Sequence, residues 1–158
     1  MRLKFVWIGA TRNPHYRHLQ ADYLARIERF SSAGIVAVRE GRKTDPHQTE
    51  RQLEREASRV QKALEKSSYV VCLDERGKER SSRQLSDWLS RFHQSGHQEV
   101  AFVVGGHYGL SGPLRAAADE IVSLGKMTLP HELARVLLLE QVYRSFCIQN
   151  RIPYHRGR

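Results

Sequence analysis

The chain has 158 residues, 40% hydrophobic and 27% charged, which suits one domain with a real core and leaves no room for several. Its formal charge of +9 points to a polyanion partner such as RNA or DNA, yet it is equally compatible with plain solubility. Its two cysteines, Cys72 and Cys147, lie in apolar runs without metal-ligand spacing, which excludes a disulfide scaffold and a zinc module and suits reduced thiols in the cytoplasm.

The first apolar run, residues 2–9, is too short for a signal peptide or a membrane span and is predicted as a strand. Residues 14–30 carry Leu19, Tyr23, Leu24, Ile27 and Phe30 at helical spacing. Residues 34–39 form a second strand, and Arg39, Arg42 and Lys43 crowd the loop after it. Residues 46–66 are a charged helix with a narrow stripe of Leu53, Ala57, Val60 and Leu64. A buried strand over 69–73 stops at Asp74, and Glu75-Arg76-Gly77-Lys78 reads as a turn. Ser81 and Gln84 fit a capping box for a helix over 82–94. Residues 99–104 are a strand that ends at Gly105-Gly106. Pro113 suits the first turn of a helix reaching Asp119, residues 120–124 are a last short strand, and Pro130 opens a terminal helix.

Strands without polar alternation, separated by helices, predict an α/β fold: a mostly parallel sheet with helices on both faces. Ligands of such sheets bind outside the carboxyl ends of the strands. Three strand ends have distinctive loops, at Leu73-Asp74, at Gly105-Gly106 and from Leu124 to Leu129.

The Gly105-Gly106-x-x-Gly109 string is neither a dinucleotide fingerprint nor a phosphate-binding P-loop. It reads as a tight turn or as backbone brought close to a flat ligand. The segment Leu124-Gly125-Lys126-Met127-Thr128-Leu129 reads as a connection into the core or as an adenine pocket. Leu133, Ala134, Val136, Leu137, Leu138 and Leu139 cover most of the terminal helix, so it is buried on more than one side; a two-fold dimer is an economical way to achieve that. Helix spacing alone makes Glu140 and Arg144 an i,i+4 ion pair. The tail of Tyr154, His155 and Arg156 offers a stacking ring, an imidazole and a guanidinium, suited either to an unstacked base or to plain solvation. His15, His18, His47, His93 and His97 form no zinc pattern, so no metal is expected.

The segments Leu73-Asp74-x-x-Gly77-Lys78, Phe102-Val-Val-Gly-Gly-x-x-Gly109-Leu110, Lys126-Met-Thr-Leu-Pro-His131, Arg135-Val, Glu140-Gln-Val-Tyr-Arg144 and Pro153-Tyr-His-Arg156 resemble those of the RlmH family. These are large-subunit (23S) rRNA pseudouridine methyltransferases of the SPOUT class. The resemblance spans essentially the whole chain and is most specific in its last third. It implies a single domain over 1–158, a C-terminal trefoil knot, a homodimer and S-adenosylmethionine as cofactor. The implied reaction is methylation of ring nitrogen 3 of a pseudouridine on the assembled ribosome. Carried over by position, Leu73, Gly105 and the loop Leu124, Gly125, Lys126, Met127, Thr128 and Leu129 would hold the cofactor. Arg144, Tyr154, His155 and Arg156 would meet the substrate, with His155, Glu140 and Arg144 in catalytic roles. Two rivals fit the residues without the resemblance: a non-enzymatic RNA- or ribosome-binding factor, and an α/β enzyme that cradles a phosphate in the glycine loop.

Overall fold

The computed structural model describes residues 1–41, 49–64 and 68–154. In chain order the elements are β1 (Arg2–Ile8), α1 (Pro14–Ile27), β2 (Ser32–Val38), α2 (Thr49–Ala63), β3 (Tyr69–Glu79), α3 (Ser82–Gln94), β4 (Glu99–Val104), α4 (Gly112–Ala116), β5 (Glu120–Ser123) and α5 (His131–Gln149). The strands form one sheet in the order β2-β1-β4-β3-β5, and every neighbouring pair is parallel. The predicted α/β architecture is therefore present.

Side chains alternate across a strand, and here both faces are apolar. Leu3, Phe5 and Trp7 pack with Ile27 of α1, Leu89 of α3 and Leu139 of α5 on one face. Val6, Ile8 and Cys72 pack with Ala57 and Val60 of α2 and Leu114 of α4 on the other. Cys72 and Cys147 are free and buried. Among the described residues no helix is long and apolar enough to cross a membrane.

Local signals set several boundaries. The Asn13 side chain accepts from the N–H groups of His15 and Tyr16, and Pro14 opens α1. The capping box of Ser81 and Gln84 starts α3. Four expectations need correction. α1 ends at Ile27, short of residue 30, and its Leu19 is 40% exposed and so lies off the core face. β2 begins and ends earlier than expected, at Ser32 and Val38. α4 closes at Ala116, short of Asp119, whose side chain instead accepts from the Val70 N–H at 2.7 Å. Arg42 and Lys43, with both ends of the predicted charged helix, lie outside the described residues.

The fourth correction concerns β3, which runs on to Glu79 instead of turning at 75–78. Val122 of β5 pairs with both Leu73 and Lys78, so the residues between them bulge out of the ladder and β3 resumes, still parallel, in a shifted register. Gly77 permits this, because a Cβ there would lie 2.6–2.7 Å from the β5 backbone at Ile121 and Val122. Residue spacing cannot reveal that approach, since its partner lies more than forty residues away.

No residue of α5 from 131 to 148 is exposed. Burial on more than one side, as its residues predict, is present. Within the chain α1, α3 and the sheet already supply much of it, through Leu138, Leu139, Val142 and Phe146.

Candidate active site

The bulge within β3 and the carboxyl ends of β4 and β5 meet the start of α5 around a cavity of about 670 Å³. That volume is within the usual range for a small-molecule site. One wall is Leu73 to Arg76, a second is Val104 to Leu110, and a third is the irregular segment from Leu124 to His131. Arg115 and Ala134 complete the lining.

The second wall needs its glycines. A Cβ on Gly105 would stand 2.7–2.9 Å from the backbone of Gly109, and Gly109 itself has φ +75. The Gly109 N–H returns to the Gly106 carbonyl at 3.1 Å and closes a tight tip that carries His107 and Tyr108. The string is a tight turn, and it lines the cavity. In the third wall the Ser123 hydroxyl accepts from the Gly125 N–H at 3.1 Å and donates to the Gly125 carbonyl at 2.9 Å. Thr128 donates to Glu75 at 3.3 Å and joins the third wall to the first.

Of the eight residues expected to hold a cofactor, seven line this cavity: Leu73, Gly105, Leu124, Gly125, Met127, Thr128 and Leu129. Lys126 is exposed and does not line it. Met127 is 82% exposed, so it stands at the rim instead of packing inside.

Charges of both signs occupy the first wall. Asp74 accepts from the Arg76 backbone at 3.0 Å and side chain at 3.1 Å, and pairs with Arg115 at 3.4 Å. Burial alone would raise the Asp74 carboxyl, but these hydrogen bonds and the charges of Arg76 and Arg115 hold it below its ordinary value. On α5, Arg135 is fully buried and donates to the Ile8 carbonyl at 2.7 Å and to Thr11 at 3.1 Å. Burial brings its guanidinium down to about 10 against the opposing pull of Glu132 and Glu40, so it remains a cation at neutral pH. Burial, and then Arg135, hold His131 below its ordinary value. That favours a neutral imidazole on the cavity wall.

The remaining predicted residues gather farther along α5. Arg144 pairs with Glu140 through both its Nε, at 2.9 Å, and its terminal nitrogen. The Tyr154 hydroxyl donates to the same Glu140 oxygen at 3.0 Å, and its ring lies under the Arg144 guanidinium at 4.9 Å. Gln141 donates to the other Glu140 oxygen at 2.7 Å, and the Tyr23 hydroxyl stands 3.5 Å from that of Tyr154. Burial, followed by the hydrogen bonds with Tyr23 and Glu140, pushes the Tyr154 phenol above its ordinary value, so it stays protonated. The i,i+4 ion pair read from helix spacing is formed. His155 and Arg156 lie outside the described residues.

This cluster does not touch the chain's own cavity. Ala134 is the last cavity residue on α5, and Glu140 lies six residues on, about 9 Å along the axis at 1.5 Å per residue. Asp74, Arg115 and His131 also line the cavity, though they are not among the site residues expected from sequence. Asp74 had a usable signal, an acid closing an apolar strand. Arg115 had none, being one of many arginines.

A family model described as a predicted SPOUT methyltransferase matches residues 1–155. A Geotalea daltonii protein named ribosomal RNA large subunit methyltransferase H is 41% identical over 155 residues, which is 98% of this chain and 99% of that protein. The chain belongs to the RlmH family of SPOUT methyltransferases. A relative of the same name from Lactobacillus delbrueckii subsp. bulgaricus is 34% identical over 159 residues, covering 99% of this SPOUT chain and all of its own length. Two solved structures share the fold at low identity. A probable methyltransferase from Bordetella pertussis Tohama I superposes with a TM-score of 0.58 at 14% identity, covering 91% of this chain and 95% of that one. A probable methylase family protein from Haemophilus influenzae Rd KW20 also scores 0.58, at 13% identity, covering 98% and 70%.

Proposed function

We propose that this SPOUT chain transfers a methyl group from S-adenosylmethionine to ring nitrogen 3 of a pseudouridine in large-subunit (23S) rRNA, on the assembled ribosome and as a homodimer. The observation that carries the reading is a coincidence of place. The three segments that bear the family motifs, at Leu73, at Gly105 and from Leu124 to Leu129, are the segments that enclose the cavity described above. The names of the 41% and 34% identical relatives supply the substrate class.

The cavity fits the donor. Leu124 and Leu129 offer apolar surface to an adenine, and the irregular backbone from 124 to 130 offers its amides and carbonyls. Asp74, Arg76 and Arg115 place both signs of charge on one wall, which suits a zwitterionic amino-acid end. When bound, the donor supplies a methyl on a sulfonium, an activated carbon that needs no metal.

The chain's own residues must hold the base and take its proton. Arg144 and Tyr154 are pre-set for the first task by their shared hold on Glu140. Because that carboxylate is already engaged by Arg144, Tyr154 and Gln141, we assign Glu140 to positioning and the ring-nitrogen proton to His155. Arg144 and Arg156 then neutralise the anionic base or its phosphate. Since the Glu140 cluster lies beyond its own cavity, one subunit would serve the cavity of the other. The trefoil knot that the family resemblance implies belongs to the same proposal.

The test is transfer of labelled methyl to intact ribosomes and to separated subunits, with the modified nucleotide mapped. Intact ribosomes should be labelled at a pseudouridine. RNA affinity with neither label nor a thermal shift at millimolar donor would instead indicate a binding factor. For the composite site, a Gly105→Ala protomer mixed with an Arg144→Ala protomer should, at limiting donor, give activity above that of either variant alone.

A further inference from the structure

Glu40 follows the end of β2, an edge strand, and belongs to no motif. Its side chain nonetheless reaches the cavity wall. One carboxylate oxygen accepts the His107 N–H at 2.8 Å, across 67 residues of sequence. Two glycines from different loops make room for it. A Cβ on Gly106 would run into the same Oε1, and a Cβ on Gly9 would stand 2.9 Å from Oε2. The loops after β1, β2 and β4 therefore converge on one carboxylate directly behind the glycine wall. The buried Arg135 feels the same charge from below.

We propose that Glu40 is a positioning residue of the ligand cavity, fixing the Gly105–Gly109 wall by holding the His107 N–H from a seat between Gly9 and Gly106. A glycine loop is otherwise the most permissive backbone in the chain. Without the anchor the tip must be ordered at the moment of binding, and that ordering subtracts from affinity. Glu40 touches no reacting atom, so its loss shows in binding more than in turnover. The identity of the ligand rests on the function proposed above, whereas the anchoring does not.

The test uses the full chain as Glu40→Ala, Glu40→Gln, Gly106→Ala and the Glu40→Ala/Gly106→Ala double variant. S-adenosylhomocysteine binding is measured by calorimetry and amide exchange by mass spectrometry over 105–110. Glu40→Ala should weaken binding about tenfold or more, with kcat at saturating donor changed less than threefold. Exchange at the His107 amide should rise clearly. Glu40→Gln keeps an acceptor oxygen and should restore both, which also controls for folding. Gly106→Ala should weaken binding by itself, and adding Glu40→Ala should cost much less than it does in the wild type, because the two substitutions act on one contact. Unchanged exchange in Glu40→Ala, or strictly additive losses, would overturn the inference. If the wild type binds no S-adenosylhomocysteine at millimolar concentration, the donor assignment fails, and the exchange arm still decides whether Glu40 holds the wall.

Discussion

Gly105→Ala is the sharpest perturbation of the cavity, because its steric consequence is set by backbone. The new Cβ would meet the Gly109 carbon, oxygen and Cα at 2.7, 2.8 and 2.9 Å. Ordinary contact begins near 3.4 Å, so Gly109 must retreat by more than half an ångström. No flexible side-chain end is available to give way. Overpacking of this kind costs about 1–3 kcal/mol. At roughly 2–4 °C per kcal/mol for a chain of this size, the midpoint should fall by about 2–12 °C. Gly109 also lines the cavity, so its retreat should weaken ligand at least tenfold, about 1.4 kcal/mol. With S-adenosylhomocysteine at a hundred times the wild-type Kd, the wild type gains about 2.7 kcal/mol and the variant only about 1.4. The ligand-induced rise in a thermal-shift assay should therefore halve. Gly34→Ala is the matched control, since nothing lies within 4 Å of its Cβ. It should leave the ligand-induced rise intact. A Gly105→Ala protein with wild-type midpoint and wild-type ligand response would refute the claim that close backbone approach shapes the wall.

Tyr154→Phe keeps the ring under Arg144 but removes the hydroxyl that Glu140 accepts; single-turnover methyl transfer should fall about tenfold with donor affinity unchanged, a loss of about 1.4 kcal/mol in the transfer step alone. Glu132→Ala removes the acceptor of the Arg12 and Asn13 N–H groups ahead of α1, and should lower stability by about 2 kcal/mol in urea unfolding. The Asp74 and Glu132 carboxyls both sit below their ordinary values of 3.8 and 4.5, since hydrogen bonds and nearby cations outweigh burial. The unfolded chain thus binds more protons than the folded one, so this stability is present above those ordinary values and is lost as pH falls through the depressed ones. A pH series of urea midpoints should show an acid limb below about pH 4.5 that shrinks in Glu132→Ala. Gly77→Ala drives a Cβ into the β5 backbone at 2.6–2.7 Å, and should reduce the yield of folded protein far more than Gly34→Ala, measured as the soluble fraction after refolding.

Much of the framework was readable because its causes are local. The capping box of Ser81 and Gln84, the apolar run over 99–104 and the proline at 130 each fix an element end within a few residues. The rule that parallel sheets bind ligands at their carboxyl ends brought Leu73, Gly105 and Leu124 to one cavity before any contact was known. What could not be read depends on partners far off in sequence. Nothing near Glu40 announces His107, and nothing near Gly77 announces Val122. Lys126 has the right neighbours in sequence and still projects away, because alternate residues of an irregular loop need not share a face. Glu140 and Arg144 were legible as a pair from their spacing, but the hydroxyl of Tyr154 joining them was not.

The place of α5 in the core has a consequence for synthesis. Arg2 at the start of β1 lies opposite Glu99 of β4, and the face holding Leu3, Phe5 and Trp7 is completed by Leu138, Leu139, Val142 and Phe146. Chains dominated by such distant pairings close late and slowly. A nascent chain lacking its last thirty residues has helices but only one finished side to its sheet. Its apolar strands stay open to other chains until α5 has been made. Premature stop codons within α5 should therefore yield aggregate in place of a shortened domain.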